Sequence, residues 1–108
     1  MTMVLISERA NNDLHKILEG LISWQKIALN REFCLNYVSD IMIVCRSIDK
    51  RSVHFNTVYS VHKQFGQKVY KYKRNRNTTW YIIYNFDKVN NIVYIQHITS
   101  NHTTVESD

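Results

Sequence analysis

The chain has 108 residues, 44% of them hydrophobic, with a formal charge of +5 and an isoelectric point near 9.3. That is the length of a single domain, 1–108, too apolar and too aromatic for a disordered chain. No run approaches the ~20 apolar residues that span a bilayer, and the basic surplus favours an anionic partner: nucleic acid, an acidic protein or a membrane surface.

Met3 to Ile6 is a short apolar run that reads as a strand, and the chain turns polar by Ser7. That core is too short for a signal peptide, so a cytoplasmic protein with no membrane attachment is expected. Ser7 or Asn12 caps the helix that follows. Leu14, Ile17, Leu18, Leu21 and Ile22 form its apolar stripe at i, i+3, i+4, i+7 and i+8.

Asn30 is placed as the cap of a second helix, opened by Arg31-Glu32-Phe33. Phe33, Tyr37, Ile41, Val44 and Ile48 are its buried stripe, and the pattern ends between Asp49 and Ser52. Cys34 and Cys45 share a face of this helix about 16 Å apart, by the rise per residue. That is too far for a disulfide, so both read as buried thiols. Asn56 and Gly66 are spaced like the cap and the terminating glycine of a short helix, with Val58, Val61 and Phe65 facing the core, and an irregular segment over 53–67 is the equal alternative.

Three strands follow. Lys68 to Arg74 alternates Val69, Lys71 and Lys73 against Tyr70 and Tyr72. Thr78 to Phe86 and Asn91 to Thr99 are β-branched and aromatic, and the turn-rich segments Asn75-Arg76-Asn77 and Asp87 to Asn90 separate them. Residues from Thr103 read as a frayed tail. The expected fold is α+β: an N-terminal strand and helical hairpin packed on a mainly antiparallel sheet with a C-terminal three-stranded meander.

The chemistry concentrates between Lys68 and His102. Lys68, Lys71, Lys73, Arg74 and Arg76 stand beside Tyr70, Tyr72, Trp80, Tyr81 and Tyr84, in a stretch with no acid before Asp87. Cations neutralise phosphates and aromatic faces stack on bases; the same residues also make an ordinary solvated edge strand. His97 and His102 are the acid/base candidates, since imidazole titrates near neutrality. By alternation His97 falls on the face of Val93 and Ile95, where a structural histidine would sit. Tyr81 and Tyr84 fall on opposite faces of their strand, so one of them is core. Asn101 either orients substrate or caps a turn. Asp13, Glu19 and Glu32 read as solvating helix charges. The histidines, at 15, 54, 62, 97 and 102, show no metal-binding spacing, and two glycines cannot build a phosphate loop, so no cofactor or metal is expected.

From Val4 to about His102 the chain resembles the RelE/ParE superfamily of bacterial toxins from toxin–antitoxin pairs. The resemblance rests on the opening strand, on Ser7-Glu8-Arg9-Ala10 leading into a helical hairpin, on the basic hairpin and on the pattern WYIIYNFD…NIVYIQHI. It implies one of two activities: metal-independent cleavage of messenger RNA on the ribosome, as in RelE-like members, or poisoning of DNA gyrase, as in ParE-like members. A toxin-fold binding protein without catalysis is the remaining alternative. In either toxin the implied partner is a cognate antitoxin, acidic and partly disordered, laid over the hairpin and the basic sheet face.

For a RelE-like nuclease the resemblance implies His102, His97, Arg74, Lys71 and Tyr81 as catalytic residues, and Lys73, Arg76, Lys68 and Asn101 as RNA-binding ones. The chain departs from the family in its central meander strand, where RelE-like enzymes place an arginine and this chain has Tyr81 after Trp80. The cationic task would pass to Arg74 or Arg76.

Overall fold

A computed structural model describes residues 2–24, 31–49 and 52–101, and in these the protein forms one five-stranded sheet and three helices. Strand β1 (Met3–Ile6) leads directly into helix α1 (Glu8–Trp24). The cap is Ser7 rather than Asn12: its Oγ accepts the N–H of Ala10 at 3.0 Å. Helix α2 (Arg31–Ser47) carries the second stripe and stops at Ser47, just short of the expected range. The cap expected at Asn30 lies outside the described residues, as do His102 and the tail from Thr103.

The segment from 53 to 67 corrects the sequence expectation. It holds a two-residue strand, β2 (Phe55–Asn56), and one helical turn, α3 (Ser60–Lys63), capped at Tyr59. Asn56 cannot serve as the helix cap because it is paired to Lys68 in the sheet, and its side-chain oxygen accepts from Lys68 Nζ at 2.6 Å. Thr57 Oγ1 donates to the carbonyl of Gly66 at 3.1 Å, closing the segment into a short loop. The helix therefore has room for one turn. Val58 is 66% exposed, and the core position goes to His62.

The meander consists of β3 (Lys68–Asn75), β4 (Thr78–Asp87) and β5 (Ile92–Ser100). Strand order is β1-β5-β4-β3-β2, with β1 parallel to β5 and every other pair antiparallel. The β4–β5 turn is closed by Asp87, which accepts the backbone and side-chain N–H of Asn90, and by Asn91 at φ 56°.

The sheet has two unequal covers. On one face Val4 and Ile6 of β1, Val93, Ile95 and Ile98 of β5, and Ile82 and Tyr84 of β4 meet Ala10 and Leu14 of α1 and Ile41, Cys45 and Ile48 of the α2 region. Each buried aliphatic side chain there stabilises the fold by ~1.5–3 kcal/mol. On the other face Val69, Tyr81 and Ile83 make a smaller cluster under Phe65, with Tyr59 and His62 against Tyr81. The loop from 52 to 67 crosses between them. His54 lies on the helical side, its Nδ1 2.6 Å from the Tyr84 hydroxyl and its ring stacked on Phe86, while His62 and Phe65 lie on the other.

A one-residue bulge in β5 interrupts the alternation. Ile83 pairs with His97 but Tyr84 pairs with Ile95, leaving Gln96 without an opposite number. Val93 and Ile95 thus point to the helices, Ile98 joins them, and His97 turns to the second face. The expectation that His97 shares the face of Val93 and Ile95 is overturned by this single extra residue.

Two predictions follow from the packing. A methyl group on Gly66 would lie 2.9 Å from Cγ2 of Ile83 and 3.1 Å from the Tyr84 carbonyl oxygen. Gly66→Ala should cost about 1–3 kcal/mol in urea denaturation, and an unchanged midpoint would refute the close approach. Burial pushes the Cys45 thiol from 9.0 up to about 12, and burial together with Tyr70 pushes the Tyr84 phenol from 10.0 up to about 12. Both raised values favour the protonated folded state, so their stability is complete below the ordinary values and is lost as pH climbs toward the raised ones. The denaturation midpoint should fall steadily above about pH 9, with Cys45→Ala removing the earliest part of the fall; a flat profile to pH 11 would contradict this.

Candidate functional site

The second face above α3 is where the sheet carries polar side chains. Lys71 and Lys73 of β3 are exposed there, opposite Tyr81 and Thr79 of β4. Thr99 of β5 continues the Lys71 row, opposite Tyr81, and His97 stands in the next row of that face, opposite Ile83 and beyond it Val69. Two strand spacings place the backbones of Lys71 and Thr99 about 10 Å apart, within reach of one nucleotide for a lysine side chain.

His97 is held from three sides. Its Nδ1 lies 2.7 Å from Oδ2 of Asp13 in α1, and the same oxygen accepts the N–H of Ile98 at 3.0 Å. Its ring stacks on Phe65 with centroids 4.1 Å apart, and the guanidinium of Arg9 covers that phenyl ring at 4.9 Å. Beneath it, Ser7 Oγ donates to the carbonyl of Gln96 at 3.2 Å. Strand β1 ends where Ile6 pairs with Ile95, so α1 runs along the open margin of β5 and supplies Ser7 and Asp13 to the bulge. His97 keeps 19% of its side chain exposed. It lines, with Asp13, Lys16, Thr99 and Trp80, a largely apolar cleft of about 850 Å³ between α1, α2 and the end of the sheet, which Lys71 and Lys73 do not border.

The other residues expected at a site are distributed differently. Arg74 sits at a second irregularity, between Lys73 and Asn75, and turns to the helical side. There it bonds to Asp40 of α2 and to the Tyr72 hydroxyl, and lies 4.2 Å above the Tyr37 ring. Burial works against its charge, but the hydrogen bonds it donates to Asp40 and Tyr72 outweigh it and raise its pKa. Arg74 is therefore separated from Lys71 and Lys73 by the thickness of the sheet. Tyr81 is 6% exposed and covered by Tyr59 and His62, a floor for the face more than a stacking platform. Lys68 is engaged with Asn56 on the edge. Asn101 closes the end of the β4–β5 ladder: its Oδ1 accepts Thr79 N–H at 3.0 Å and its Nδ2 donates to the Asn77 carbonyl at 3.1 Å. Arg76 is exposed at the tip of the β3–β4 turn.

Asp13 is the residue that sequence reasoning missed. One signal was present: it stands four residues before Ile17, on the border of the apolar stripe rather than on the solvent side. Among the described residues, no three His, Cys, Asp or Glu side chains converge as a metal site would require, and no helix is long and apolar enough to cross a membrane. No protein-family model, no curated protein and no solved structure matches the chain.

The two cation groups should separate in a binding experiment. If Lys71 and Lys73 each meet a phosphate, replacing both by alanine should reduce the salt slope of single-stranded RNA binding by about 1.4. Arg74→Ala should leave the slope unchanged and lower stability by about 1 kcal/mol. The reverse assignment of the two effects would contradict the placement.

Proposed function

We propose that the chain is a RelE-like toxin, a metal-independent endoribonuclease acting on messenger RNA at the ribosome and neutralised by an acidic, partly disordered antitoxin. The observation that carries this reading is the company of His97: an imidazole fixed by a carboxylate, on the same sheet face as Lys71 and Lys73. The order of strand, helical hairpin and meander, which the RelE/ParE resemblance implies, supports it further.

Cleavage of this kind joins the 2′-oxygen to the adjacent phosphorus and breaks the bond to the 5′-oxygen. The proton leaves the 2′-hydroxyl to a base, and an acid returns one to the departing 5′-oxygen. The phosphorus carries extra negative charge in between, which the ammonium groups of Lys71 and Lys73 would stabilise. His97 serves one of the two proton positions; His102 is the candidate for the other.

A second reading has its own support. Arg74 is committed to Asp40 and Tyr81 is covered, so two of the residues a RelE-like nuclease would use are structural. A ParE-like gyrase inhibitor, or a toxin-fold binding protein, needs neither.

The test is primer extension on a messenger RNA in a purified translation system. Codon-phased cuts that require ribosomes are expected, and His97→Ala should reduce them by about 10²–10⁴-fold in a protein that stays folded. Intact message alongside arrested growth would overturn the nuclease in favour of gyrase inhibition.

A further inference from the structure

Asp13 does more than cap a strand edge. An N–H exposed by a bulge needs one acceptor, and an asparagine or a serine would supply it. Here one carboxylate oxygen receives both the Ile98 N–H and Nδ1 of His97, so the histidine ring and the backbone that carries it are registered to the same atom. The arrangement is local to α1 and β5, since Ser7, one turn and a half earlier, fixes the neighbouring Gln96 carbonyl. Phe65 stacks on one flat side of the ring, and the Arg9 guanidinium lies over that phenyl group.

An imidazole whose Nδ1 faces a carboxylate carries its proton there, and the far nitrogen, Nε2, is then the one that exchanges protons with a substrate. Nε2 of His97 makes no hydrogen bond within the described residues. The side chain lines the cleft beside Lys16, which lies three residues after Asp13 on α1. We infer that Asp13 is a positioning residue that holds His97 in its Nδ1–H form, so that Nε2 faces the cleft as the proton-transferring atom. This inference rests on the nuclease reading for the reaction, but the state of the ring can be read without it.

The bonds and protons balance in a simple way. When Nε2 takes the 2′-hydroxyl proton the ring becomes cationic, and the Asp13 carboxylate lies against the charge that forms. When the ring returns that proton, to the 5′-oxygen or to water, it regains its Nδ1–H form with no rotation. Lys16 lines the same cleft.

Long-range nitrogen–proton NMR of the neutral His97 ring, in the full chain, tests the assignment. The wild type should show Nδ1–H, and Asp13→Ala should revert to the Nε2–H form that free histidine prefers. In the ribosome-dependent cleavage assay, Asp13→Ala should lower kcat by about 10²-fold with little change in KM. Asp13→Asn separates the cap from the charge: its amide oxygen can still take the Ile98 N–H, so the fold and the Nδ1–H form should persist while kcat falls less. A folded Asp13→Ala protein with wild-type kcat overturns the role, as does an Nε2–H ring in an active wild type. If Asp13→Ala does not fold, the wild-type ring and the Asp13→Asn kinetics decide. A wild-type chain that cleaves no RNA overturns the nuclease reading and the catalytic role with it. An active chain with the wrong tautomer overturns the positioning alone, so the two failures are told apart.

Discussion

One carboxylate ties the helical layer to the far face of the sheet. Asp13 stands on α1, whose apolar side is buried against β5, yet its oxygen meets a histidine that projects from the opposite face. This is geometrically available only at the margin of a sheet, where β1 has ended and β5 continues unpaired. The bulge at Gln96 makes the contact possible by turning His97 outward, and the exposed N–H of Ile98 is satisfied by the same oxygen. Remove the carboxylate and a buried donor, a ring orientation and a strand irregularity all lose their common anchor, at a cost on the order of 1–3 kcal/mol for the unsatisfied donor alone.

Much of the architecture was legible from the chain. The stripes through Leu14 and Ile17, and through Ile41 and Cys45, mark the helix faces that bury, because a helix packed on a sheet repeats its contacts every three or four residues. The meander was legible for a similar reason: β-branched and aromatic runs bounded by Asn- and Asp-rich turns have few other ways to fold. The local rule that an oxygen before a helix takes an early N–H offered Ser7 and Asn12 alike, and the structure decides for Ser7.

What was not legible came from places where a local rule met a distant residue. Arg74 reads as part of a basic run; alternation puts it on the Tyr70 and Tyr72 face, but that Asp40, thirty-four residues away, ties it down there is not written in the local sequence. His97 reads as inward-facing under strict alternation, and nothing in IQHIT announces an extra residue. Asn56 has the chemistry of a helix cap and is instead taken by the ladder to Lys68. The basic cluster thus divides into a pair of lysines on one face and a structural arginine on the other. A sum of charges along the sequence cannot make that distinction.

The bulge also sets how this strand can change length. Deleting Gln96 would let every later residue of β5 pair in regular register, with no hydrogen bond of the β4 ladder lost. It would also leave both faces as they are, because His97 already stands opposite Ile83 and Ile98 opposite Ile82. Deleting His97 along with it would instead set Ile98 opposite Ile83 and exchange the faces from that point on. The unpaired residue is therefore the one length change the last strand absorbs without moving the imidazole or its core neighbour, and what it takes away is the carbonyl that Ser7 holds.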